Sequence, residues 1–65
     1  EPLTERELEV LTYISRGMSA DEIAQSLSLS NSTIKSHTKS IYRKLGVTTR
    51  IRAINAAKLA GILKG

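Results

Sequence analysis

Ser32, Lys35, Ser36, Lys39 and Arg43 recur at helical spacing in one short stretch of the chain, and no carboxylate interrupts them. At about 100° per residue they share one side of a helix. On the other side Ile34, Thr38, Ile41 and Leu45 fall within an arc of roughly 60°. A helix held to its neighbours by the isoleucines therefore presents cations and small hydroxyls outward. Lysine and arginine can donate to phosphates and to guanine O6 and N7, and serine can donate or accept at several bases. Small residues also permit close approach, which is what a helix entering the DNA major groove requires. Catalysis finds much less support. His37 is the only histidine and there is no cysteine, so neither a Ser/His/Asp set nor a zinc ligand set can be assembled around it.

The elements that must position this face are written in a repeated local grammar. Leu3-Thr4-x-x-Glu7-Leu8 and Met18-Ser19-x-x-Glu22-Ile23 each place a hydroxyl cap three residues before an acid, with apolar residues as a staple. Leu29-Ser30-x-x-Thr33-Ile34 repeats the arrangement with Thr in place of the acid. Three helix starts follow. The first helix is expected from about Glu5 to Arg16 with Gly17 ending it, and Leu8, Val10, Leu11 and Ile14 on its core side. The second begins after Ser19, with Ile23, Ala24 and Leu27 on its apolar side. Ser28-Leu29-Ser30 breaks it, because serine prefers caps and turns to helix interiors. The third, capped by Ser30, runs to Leu45 and stops at Gly46. A fourth is expected from about Arg50 to Ala60, closed by Gly61, with Ala53, Ala57 and Ala60 on one stripe. That stripe reads either as close packing inside the domain or as a small dimer seam. No strand signal, linker or low-complexity tract interrupts the series, so the fold class is all-α: a four-helix, bundle-like domain with a helix-turn-helix core.

Sixty-five residues make one small domain, which buries only about 60% of its extended surface. Without cysteine, helix packing must stabilise it. No apolar run approaches the ~20 residues that span a bilayer, and no signal-peptide pattern is present. The net charge of +4 conceals a sharp division. Residues 1–30 hold six acids against Arg6 and Arg16, net −4, while residues 31–65 hold eight Lys and Arg with no acid, net +8. Such a split points to an anionic partner for the second half, against the plain alternative of a solvated basic surface.

LTERELEVL and GMSADEIAQSLSLSNSTIKSHTKSIYRKLGVTTR carry a resemblance over nearly the whole chain. The chain resembles the LuxR-type helix-turn-helix DNA-binding domain of bacterial transcription regulators. The family pattern LT-x-RE-x-EVL is met by Leu3, Thr4, Arg6, Glu7, Glu9, Val10 and Leu11. S-x-x-EIA-x-x-L-x-(I/L)-S-x-x-T(V/I)K-x-H is met from Ser19 to His37, and KLGV from Lys44 to Val47. Two positions depart from the pattern. Arg52 stands where an acid is frequent, and Thr49 replaces the common Asn.

The resemblance implies sequence-specific binding of double-stranded DNA in transcription regulation, with the third helix in the major groove and no enzyme activity. It agrees with the outward face in placing Ser32, Lys35, Ser36 and Lys39 at base edges. Thr33, His37, Arg43 and Lys44 are expected at phosphates, Thr33 also because it sits at a helix N-terminus, where backbone donors favour an anion. It implies a weak homodimer on DNA through the fourth helix, with Ala53, Ala57 and Ala60 as the seam. RNA polymerase is a further candidate partner; no cofactor, metal or membrane is implied. Residues 1–65 are expected to be the C-terminal domain of a longer regulator working in the bacterial cytoplasm on the nucleoid. Single-stranded nucleic acid is the weaker alternative, since base stacking needs aromatics and only Tyr13 and Tyr42 are present. A helical module docking an acidic protein is the alternative from another class.

Overall fold

Each of the four helices begins where a hydroxyl can close its first turn. A computed structural model describes residues 2–63, so Glu1 and Lys64 of the charge division lie outside the described residues. The helices are α1 (Glu5–Ser15), α2 (Ala20–Leu27), α3 (Asn31–Leu45) and α4 (Arg50–Leu59). Thr4 Oγ1 accepts the Glu7 N–H at 3.1 Å while the Glu7 carboxylate accepts the Thr4 N–H at 2.9 Å. Ser19 and Glu22 repeat the exchange at 3.2 and 2.8 Å. At α3 the Ser30 hydroxyl accepts the Thr33 N–H at 3.1 Å, and the two hydroxyls share a 2.8 Å hydrogen bond. Thr49, the departure from Asn, still caps α4 by accepting the Arg52 N–H at 3.2 Å. Each such cap contributes about 1 kcal/mol.

The helix ends turn through left-handed backbone. Gly46, at φ +70°, closes α3 and lets the Val47 N–H reach the Tyr42 carbonyl at 3.0 Å. Ser28, at φ 55°, does the same work between α2 and α3 without being glycine, a conformation costing an L-residue roughly 1–2 kcal/mol. Arg16 and Ala60, expected as the last helical residues of α1 and α4, instead cap those helices.

The middle of the molecule is α3, which packs against α1, α2 and α4. Ile34 and Ile41 are its fully buried contribution, meeting Val10, Leu11 and Ile14 of α1 and Ile23 and Ala24 of α2 in the core. Burying each such large side chain contributes about 1.5–3 kcal/mol. Thr38 fits the apolar side because its hydroxyl donates to the Ile34 carbonyl at 2.9 Å. Among the described residues there is no strand, and no helix is long and apolar enough to cross a membrane.

Two expectations require correction. Leu8 is 40% exposed, not part of the core side. Taken at about 100° per residue, it stands some 110° from the centre of the stripe formed by Val10, Leu11 and Ile14. Glu7 lies near that centre and is the residue actually buried there. Ala53 and Ala57 are fully enclosed within the domain, so they cannot form a dimer seam. Of the stripe only Ala60, the C-cap of α4, reaches the surface.

Candidate nucleic-acid interface

The phase of α3 is set by Ile34 and Ile41, whose burial leaves Ser32, Lys35, Ser36, Lys39 and Arg43 exposed. Ser36, Lys39, Ser40 and Arg43 line a shallow groove of about 430 Å³ along this helix. Arg43 and Lys44 stand in the last turn, where cations complement the helix dipole. No acid occurs in residues 31–63, so the face stays uniformly cationic. Such a surface raises the local concentration of a polyanion and supports fast association.

The residues expected to flank this face fall into different surroundings. Thr33 and His37, one turn apart, are half-buried on the same flank of α3 beside Ile34. The Thr33 N–H is already taken by Ser30, which leaves its hydroxyl, shared with Ser30, as the outward polar group. Asn31, the first residue of α3, donates its side-chain amide to the Asp21 carboxylate in the first turn of α2. That contact ties the two helices of the helix-turn-helix at their N-terminal ends.

Lys44 departs from expectation. Its ammonium lies 2.6 Å from a Glu7 carboxylate oxygen and donates to the Pro2 carbonyl at 3.3 Å. The two side chains are only 9% and 5% exposed. An ammonium so engaged has left the surface, and Lys44 drops out of the phosphate-facing set. Hydrogen bonds from Lys44 first, then from the Ser40 hydroxyl and the Thr4 N–H, lower the Glu7 pKa to about 2 against the opposing effect of burial. Ser19 likewise holds the exposed Glu22 carboxyl below its ordinary value.

Three further residues were not foreseen. Arg50 donates to the Ile14 and Met18 carbonyls at 2.9 and 2.7 Å, closing the C-terminal end of α1 from the start of α4. Ser40 joins the groove to Glu7. Glu7 itself had a visible signal: it precedes Val10, Leu11 and Ile14 by three, four and seven residues, an acid set in an apolar stripe. On α4, Ile51 is 72% and Leu59 90% exposed. With Asn55 they recur every four residues, on the side opposite Ala53 and Ala57.

A model of the family described as bacterial regulatory proteins, luxR family, matches residues 1–57. The chain is 47% identical over 57 residues to the Fimbriae Z protein of Salmonella typhimurium, covering 88% of this chain and 27% of that protein. It is 39% identical over 61 residues to the HTH-type transcriptional regulator AlkS of Alcanivorax borkumensis, covering 94% of this chain and 7% of that one. Over 57 residues it is 46% identical to the HTH-type transcriptional regulator MalT of Yersinia pestis, covering 88% of this chain and 6% of that protein. The crystal structure of the response regulator ChrA of a heme-sensing two-component system superposes with a TM-score of 0.93 at 38% identity, over 97% of this chain and 31% of that one. The chain thus spans less than a third of each of these relatives. With four helices in the arrangement of a response regulator's helix-turn-helix and motifs matched along almost its full length, the chain belongs to the luxR family of bacterial regulatory proteins, as a helix-turn-helix domain that binds DNA in transcription regulation.

Proposed function

We propose that α3 enters the major groove with Ser32, Lys35, Ser36 and Lys39 at base edges, while Thr33, His37 and Arg43 meet phosphates. The observation that carries this is the exposed, acid-free face of α3 beside its shallow groove. Base edges are read by directional donors and acceptors, whereas phosphate contacts hold register without carrying sequence information. Lys44 is left out because Glu7 holds its ammonium. The domain's part is binding and not catalysis. It works in the bacterial cytoplasm on the nucleoid, with RNA polymerase as the partner that a bound regulator would contact.

On DNA the domain pairs weakly with a second copy. The exposed Ile51 and Leu59, with Asn55 between them on α4, support this contact in place of the buried alanines. One recognition helix reads only a few base pairs, and two-fold symmetry doubles the readout. Selection of bound duplexes from a random pool, in the presence of excess nonspecific duplex, tests the reading. Enrichment of a two-half-site sequence is expected. A pool that remains random after selection would refute sequence-specific recognition by α3.

A further inference from the structure

Glu7 is 4% exposed at the junction of α1 and α3 and takes no part in the DNA contacts proposed above. Its carboxylate accepts the Thr4 N–H at 2.9 Å and the Lys44 ammonium at 2.6 Å, and the nearby Ser40 hydroxyl helps to lower its pKa. Ser40 and Lys44 are four residues apart, so they lie one above the other on the same side of α3. Two anchors one turn apart, drawn to a single carboxylate, fix the roll of α3 about its own axis. The buried isoleucines do this less well, because apolar burial is non-directional. Roll matters here. Ser40 also lines the groove with Ser36, Lys39 and Arg43, so the side of α3 that Glu7 holds adjoins the exposed face.

We infer that Glu7 is a positioning residue for base reading: through Ser40 and Lys44 it sets the roll of α3 and so aims Lys35, Ser36 and Lys39, without touching DNA. A carboxylate suits the role because it is acceptor-only and has enough lone pairs for all three donors. Glutamine at this position would turn one of its two acceptors into a donor facing donors. The inference rests on the reading that α3 contacts bases.

The experiment compares affinities for a selected duplex and a scrambled one, their salt dependence and the thermal melt. It uses wild type, Glu7→Gln, Ser40→Ala and the double variant Glu7→Leu/Lys44→Met. The double variant replaces the ion pair with apolar side chains of similar size, a change often neutral for stability. Measured while folded, each variant is expected to lose roughly 3- to 30-fold in its selected-to-scrambled ratio, the scale of coupling exerted by residues without ligand contact. Affinity for the scrambled duplex and the salt slope should stay near wild type, since no phosphate contact is removed. A folded variant with the wild-type ratio overturns the inference. Ser40→Ala, a favourable substitution within a helix, keeps that test available even where the others fail to fold. A salt slope lower by about 1 in the double variant also overturns it, because Lys44 would then reach phosphate. Failure of wild type itself to distinguish the duplexes would instead refute base reading by α3, and this inference with it.

Discussion

Lys39 and Arg43 stand one turn apart on the exposed side of α3, and their proposed roles differ in a measurable way. Lys39→Ala should relax base preference, costing about 1–3 kcal/mol of discrimination between a selected and a scrambled duplex. Arg43→Ala should weaken binding to both about equally and reduce the salt slope by ~1. Equal losses on both duplexes for Lys39→Ala would remove Lys39 from the base-reading set. Glu7 makes a separate prediction about stability. Its pKa in the folded chain is lowered from 4.5 to about 2, so its ionised form is favoured by folding. The contribution is fully present above about pH 4.5 and fades as pH falls towards 2, amounting to about 3 kcal/mol. Urea melts at pH 6, 3.5 and 2.5 should show the wild type losing stability on acidification more steeply than Glu7→Gln. Parallel curves would mean that the carboxylate is not held as described.

At the scale of elements, the connection between α2 and α3 has a weak point. Ser28 adopts φ 55°, while its counterparts Gly17 and Gly46 take positive φ as glycines. Ser28→Gly should relieve roughly 1–2 kcal/mol of backbone strain, less the ~0.4–1 kcal/mol by which glycine's freedom stabilises the unfolded chain. The net gain, roughly 0.5–1 kcal/mol, should appear as a raised melting temperature in circular dichroism with DNA affinity retained, because Ser28 is exposed and lies outside α3. A lowered melting temperature would show that the serine side chain stabilises the turn by more than the strain it carries. The same turn is braced from outside by Asp21 and Asn31. It therefore fixes the angle between α2 and α3 from two directions.

For the whole molecule, charge is divided more finely than composition implies. Of the cations after residue 30, Lys44 is held by Glu7 and Arg50 donates to the Ile14 and Met18 carbonyls, while the face of α3 and the flanks of α4 carry further exposed cations that can meet a polyanion. Arg52 and Lys58, both exposed on α4, would face their counterparts in a pair of domains and weaken it. The isolated domain should be monomeric at micromolar concentration and pair on DNA, where tethering supplies a high effective concentration. With about three to five phosphates neutralised per protomer, the log–log salt slope of the pair should be roughly −5 to −9. Inserting about five base pairs between half-sites one helical turn apart should abolish cooperativity. Leu59→Glu should do the same while sparing binding to a single half-site. Unchanged cooperativity in both experiments would exclude pairing through α4.

The four helices, their caps and the phase of α3 were legible in the order of residues alone. Each of these depends on residues within one or two turns of one another: Thr4 with Glu7, Ser19 with Glu22, Ser30 with Thr33, and the spacing of Ile34 and Ile41. The outward face carrying Lys35 and Lys39 followed from that phase, because burying one side of a helix exposes the other. The family was legible for the same reason, its motifs being local and in order. The pairings across long stretches of chain became visible once the helices were packed. Glu7 meets Lys44 over 37 residues, and Arg50 reaches Ile14 over 36. An acid at the first turn of a helix serves equally as a solvated cap or as a buried anchor, and only the arrival of α3 selects the second. The alanines of α4 show the same limit. A small-residue stripe permits close approach to any helix, and the packing of α4 on its own domain buried Ala53 and Ala57 and turned Ile51 and Leu59 outward.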